Sequence, residues 1–221
     1  MERALVIFES MFGNTRAIAE AVAEGLSSRF VTDLNEVSLA PTRMPDDVSL
    51  VVVGGPTHAF GLTRPRTRQD AATQADEPLV SPAGGVREWL EAAELPRSGV
   101  GAAAFDTRID KPWVPGSAAQ GAEKRLRRLG FRVVAEAQSF YVTGTKGPLA
   151  TGEVERARVV GPSRWRRRSS PVRNDRVSSH DPFKSAPDSN DLPRRRSKRD
   201  ELARQGTRCG QWPSGPGAFR P

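Results

Sequence analysis

Six consecutive residues carry the plainest chemistry in this chain: Ser10-Met11-Phe12-Gly13-Asn14-Thr15. They stand between an apolar run, Ala4-Leu5-Val6-Ile7-Phe8, and a helical pattern over residues 16–26. A buried strand that breaks into a short turn and opens a helix exposes N–H groups without intrahelical partners at the positive end of the helix dipole. Such a turn is an anion site, and phosphate is its natural occupant. Ser10 and Thr15 bring hydroxyl donors, Gly13 admits close backbone approach, and Asn14 can cap the helix. The stretch lacks the Gly-Lys-Ser/Thr ending of a triphosphate loop and the three spaced glycines of a dinucleotide fingerprint. A terminal monophosphate fits it better; an ordinary polar-capped turn is the other reading of these six residues alone.

A second loop of the same kind follows a second apolar run. Residues 50–61 read Leu-Val-Val-Val-Gly-Gly-Pro-Thr-His-Ala-Phe-Gly. In an open parallel sheet, ligands bind beyond the carboxyl ends of strands where the winding reverses, so loops after the first and third strands flank one crevice. His58, the only histidine before residue 162, sits in this loop and can either meet a ligand or serve the loop's own hydrogen bonding. With no cysteine before Cys209, Ser-His-Asp, Cys-His and zinc arrangements have nothing to build on.

The elements that must position these loops alternate between strand and helix. Ile18, Ala21, Val22, Gly25 and Leu26 share a helical face, as do Val86, Trp89, Leu90 and Ala93, and again Ala118, Ala122, Leu126 and Leu129. Strand-like runs lie at 30–37, 50–53, 100–105 and 131–137, the last extending to Ser139-Phe-Tyr-Val. A charge-laced closing helix is expected over 149–160, stopped by Gly161-Pro162. Residues 62–82 read as one long connection, a lid or solvated insertion whose arginines face an anionic substrate or simply water.

Residues 1 to about 160 resemble the flavodoxin-like family on two motifs: Ser10 with Phe12-Gly13-Asn14-Thr15, at the places of the family's Ser/Thr-x-Thr-Gly-x-Thr loop, and Pro56-Thr57-His58-Ala59-Phe60-Gly61. The resemblance implies an α/β fold, a doubly wound five-stranded parallel sheet in the order 2-1-3-4-5. It also implies FMN as cofactor, with the phosphate wrapped by Ser10, Met11, Phe12, Gly13, Asn14 and Thr15 and the ring near Pro56, Thr57, His58, Phe60 and Gly61. A third loop after the fourth strand would close over the ring: Asp106 or Thr107 would meet its polar atoms, and Trp113 would stack on it or cover the end of the core. Phe12 stands where the family usually has threonine, one hydroxyl fewer. Two functions follow from the resemblance: an FMN-dependent electron carrier or reductase working with a redox protein or a small-molecule acceptor, or an interaction module that has lost tight flavin binding.

Residues 162–221 differ in kind, holding 15 of the 34 Lys and Arg but 6 of the 26 acidic residues. The net charge of +8 is therefore that of a +9 tail on a domain at −1. A Pro-, Ser-, Gly- and Arg-rich segment without apolar periodicity is expected to be disordered. Its basic clusters admit weak nucleic-acid or acidic-lipid contact, no role at all, or an end read out of frame. No run is apolar enough for a membrane span, there is no signal segment, and the single Cys209 forms no intrachain disulfide, so a cytoplasmic protein is expected.

Overall fold

The computed structural model describes residues 2–94, 96, 99–111 and 115–164. Trp113, Cys209 and nearly all of the basic tail lie outside them.

Apolar runs with no polar alternation make strands buried on both faces, which a parallel sheet provides. Here β1 (Arg3–Phe8), β2 (Val31–Glu36), β3 (Val48–Pro56), β4 (Gly101–Ile109) and β5 (Arg132–Val133) lie in the order β2-β1-β3-β4-β5, all parallel. This is the order expected. Leu5 and Ile7 of β1, with Val51 and Val53 of β3, face α3 (Val86–Ala92) and α4 (Ala118–Arg128) through Val86, Trp89, Leu90, Ala122 and Leu126. Ala4, Val6 and Phe8 face the other side, where α1 (Asn14–Leu26) and α5 (Glu153–Arg164) cover them through Ile18, Val22, Leu26, Ala157 and Val160. Each large aliphatic side chain so buried stabilises the fold by about 1.5–3 kcal/mol before entropy is counted.

Three expectations are corrected. The connection over 62–82 contains α2 (Pro65–Gln74), a helix hidden from the sequence because it buries only Arg68 and Ala71 and so has no apolar stripe. Its readable sign was Pro65 in the first turn, where the missing N–H costs nothing. The fifth strand is divided: β5 is two residues long, the chain leaves the ladder where Ala137 N–H donates to Glu123 Oε2 (2.7 Å), and β6 (Gln138–Val142) resumes pairing with the far half of β4. The closing helix begins four residues later than expected and runs through Gly161-Pro162 to Arg164. Pro162 falls in its last turn, where the helix forfeits one hydrogen bond rather than its continuation.

Candidate functional site

The carboxyl ends of β1, β3 and β4 lie side by side, Phe8 beside Gly54 and Gly54 beside Phe105, so the three loops that follow them converge. In the first loop Gly13 has φ +88, a left-handed conformation in which side chains are strained, and a Cβ there would meet nothing within 4 Å. The space above the start of α1 is open. Gly13 N–H donates to Ser10 Oγ (3.1 Å), and the loop is backed by residues 80–81: Ser10 N–H donates to Ser81 Oγ (3.0 Å) and Ser81 N–H to Ser10 O (2.9 Å).

Asn14 is not the cap. It is the first residue of α1, and its Nδ2 donates to Lys146 O (2.9 Å), tying the loop after β6 across the turn. Thr15 Oγ1 lies 2.7 Å from Thr107 Oγ1, both buried. One of these hydroxyls donates to the other, leaving one hydrogen for a third acceptor.

The second loop is a two-residue hairpin. His58 and Gly61 exchange backbone hydrogen bonds of 3.0 Å each, and between them Ala59 and Phe60 have φ of 43° and 71°, the signature of a type I′ turn in residues that rarely adopt it. The strain is held from outside. Gly116 lies so close that a Cβ would stand 2.1 Å from Phe60 O, and Arg108 Nη1 donates to Gly116 O (2.8 Å). Phe60 is 61 % exposed. His58 is half-buried, and burial holds its imidazole below the usual 6.5, only partly opposed by a hydrogen bond with the Thr67 backbone.

Asp106 is fully buried behind this loop. Its Oδ2 accepts from Thr57 Oγ1 (2.8 Å), Ser117 Oγ (2.5 Å) and Ala119 N–H (3.0 Å), so it caps α4 from a neighbouring strand, while Oδ1 has no hydrogen-bond partner among the described residues. Thr57 Oγ1 in turn accepts from Ala118 N–H (2.8 Å), and Thr57 N–H donates to Thr107 O (2.9 Å).

An open cleft of about 440 Å³ lies between the loops. Ser10, Met11, Phe12, Asn14 and Thr15 line one side; Pro56, Thr57, His58 and Thr107 line the other. Nine of the residues singled out from the sequence thus meet around one space. Gly13, Phe60, Gly61 and Asp106 are not on its wall; Gly13 shapes it by its backbone, Phe60 and Gly61 belong to the hairpin, and Asp106 supports it from behind. Arg108, Ile109, Val142 and Thr145 complete the lining and were missed. Arg108 and Ile109 follow Thr107 directly, but nothing in their spacing marked them; Val142 and Thr145 arrive only because β6 pairs with β4.

Glu9, also missed, is wholly buried beneath the first loop. Its Oε1 accepts from Thr63 Oγ1 (2.5 Å) and its Oε2 from Val86 N–H (2.9 Å), with Arg68 Nη1 at 4.0 Å. Burial pushes its carboxyl above the usual 4.5, these partners opposing. Among the described residues no group of three His, Cys, Asp or Glu could hold a metal ion.

The flavodoxin family profile matches residues 6–158, spanning all three loops. The chain belongs to the flavodoxin family. Among solved structures, oxidised flavodoxin 1 from Bacillus cereus superposes with a TM-score of 0.52 at 19% identity, covering 73% of this chain and 95% of that one. The flavodoxin of Streptococcus pneumoniae TIGR4 gives 0.51 at 17%, covering 72% and 94%. These likenesses are of fold. Comparison with curated proteins returned no match. In this strand order the first loop, the hairpin and the end of β4 lie at the switch point between β1 and β3. Among the described residues no helix is long and apolar enough to cross a membrane.

Proposed function

We propose that this member of the flavodoxin family binds FMN in the cleft and works in electron transfer or flavin-dependent reduction in the cytoplasm. The observation that carries this reading is the convergence of Ser10, Thr15 and Thr107 on the open start of α1. The residues fit the group. A phosphate above Gly13 would meet unpaired first-turn N–H groups, the helix dipole and the hydrogen left over by the Thr15–Thr107 pair. The missing hydroxyl at Phe12 is then one donor among several. Bound there, FMN supplies the redox chemistry; the chain binds it, orients it and tunes its surroundings.

His58 stays neutral near neutral pH, so it would meet a ring or its substituents as a neutral donor or acceptor. Thr57, fixed by Asp106 and Ala118 N–H, is positioned rather than mobile.

The test is calorimetric titration of the apoprotein with FMN and with riboflavin. Tight FMN binding with riboflavin at least tenfold weaker is the expected result, since a hydrogen bond to a charged group is worth about 1.5–3 kcal/mol. Absence of FMN binding by the folded protein would overturn the reading and leave a flavodoxin scaffold serving as an interaction module.

A further inference from the structure

Helix α2 buries a single apolar side chain, Ala71, yet is pinned by polar contacts along its length. Arg68 forks onto Glu88, Nη1 to Oε2 and Nη2 to Oε1 at 3.1 Å each, and Nη1 also donates to Thr63 Oγ1 (3.1 Å). Thr67 Oγ1 accepts from Arg64 N–H (2.9 Å), and just past the helix Lys146 Nζ pairs with Asp76 Oδ2 (2.7 Å). A mostly buried ion pair adds little net stability, because desolvation offsets much of the attraction. What this one contributes is geometry. It turns the face of Thr67, Asp70, Ala71 and Gln74, at helical spacing, toward Phe12 and the His58–Ala59 hairpin.

Between that face and the hairpin lies a second cleft, about 610 Å³. Phe12, Thr57, His58 and Thr145 line both clefts, so the two adjoin. Their charges are opposite. Among the described residues Arg108 is the one Lys, Arg, Asp or Glu on the wall of the first, and Asp70 the one on the wall of the second. Phe12, Ala59 and Ala71 make apolar wall, and Gln74 and Thr145 offer hydrogen bonds. An anion is favoured by the first cleft and disfavoured by the second, while an aromatic cation gains from both the Asp70 carboxylate and the Phe12 ring.

We infer that the second cleft, between α2 and Phe12, binds a small planar aromatic molecule of neutral or positive charge beside the flavin site. The inference rests on the FMN reading. The arginines of α2 and its N-cap do not line the cleft as free charges: Arg68 is engaged in the ion pair, and Arg64 and Arg66 are not on the wall.

The test uses FMN-loaded protein and three probes of one ring system: N-methylquinolinium, quinoline and quinoline-2-carboxylate. Binding is read by calorimetry and by amide shifts at Thr67 and Ala71. The cation is expected to bind roughly three- to fivefold more tightly than the carboxylate, the size of a partly exposed charge pair. Asp70→Asn is expected to remove that preference, and Gln74→Trp, at an exposed position, to abolish binding of all three while leaving FMN affinity within twofold. Failure of the wild-type protein to bind FMN, seen before any probe is added, overturns both readings. FMN binding with no probe bound, a preference unmoved by Asp70→Asn, or loss of FMN affinity in Gln74→Trp overturns this inference alone, the last because the second cleft would then belong to the flavin site.

Discussion

The hydroxyls of Thr15 and Thr107 stand 2.7 Å apart, joining the first turn of α1 to the end of β4 across 92 positions of sequence. Each is the other's partner in a buried setting, and between them one hydrogen remains to donate. Replacing either threonine by valine leaves the other hydroxyl unpaired, at about 1–3 kcal/mol. Thr15→Val and Thr107→Val are therefore each expected to destabilise the apoprotein by about 1–3 kcal/mol, whereas only the double variant loses the donated hydrogen and is expected to weaken FMN roughly tenfold. Since the single variants break the same pair, the double variant should cost less stability than the sum of the two, which a double-mutant cycle by urea unfolding measures.

Asp106→Ala should destabilise the apoprotein by about 3 kcal/mol. It strips an acceptor from the Thr57 and Ser117 hydroxyls and from Ala119 N–H at once, all near the start of α4. Urea unfolding reads the loss. A change under about 1 kcal/mol would show that water replaces the carboxylate as the cap.

Gly116→Ala tests how the hairpin is held. A methyl group at this position would collide with Phe60 O, and alanine at φ +86 adds about 1–2 kcal/mol of backbone cost. The expected outcome is a lower Tm together with looser amides at His58 and Gly61 in hydrogen exchange.

The buried Glu9 imposes a pH dependence. Its carboxyl is raised above 4.5, so between 4.5 and its folded value the native state holds more protons than the unfolded one. Stability present below pH 4.5 is then lost as pH rises through the folded value. Glu9→Gln should flatten that fall in urea midpoints measured on the apoprotein.

His58 acts with the opposite sign. Its imidazole is lowered from 6.5, so the stability it carries is full above that pH and is lost as pH falls through the folded value. His58→Asn should remove this acid-side loss, and a variant whose urea midpoints change between pH 6.5 and 5 just as those of the wild type do would contradict the burial of the ring.

What could be read from the chain alone was local. Ala4–Phe8 and Leu50–Val53 announce doubly buried strands because they are short, unbroken apolar runs with β-branched residues that end in turn-forming sequence, and the Ile18/Val22 and Trp89/Leu90 faces announce the helices that cover them. The Ser10–Thr15 turn could be read because a strand, a glycine and a helix start adjoin in sequence. From these elements the crevice followed, while the winding and the strand order were implied by the resemblance to the flavodoxin-like family.

Tertiary structure decided everything that depends on groups far apart in the chain. Helix α2 has no apolar period; it exists where Arg68 meets Glu88, 20 positions away, and Thr63. Thr145 reaches both clefts because β6 resumes the ladder beside β4, and Asn14 abandons the cap because Lys146 O is within reach. Burial of apolar surface is written into the order of residue types and declares itself strand by strand. Pairing of polar groups needs both partners in place, and only the folded chain brings Thr107 to Thr15, Asp106 to the start of α4 and the face of Asp70 to Phe12.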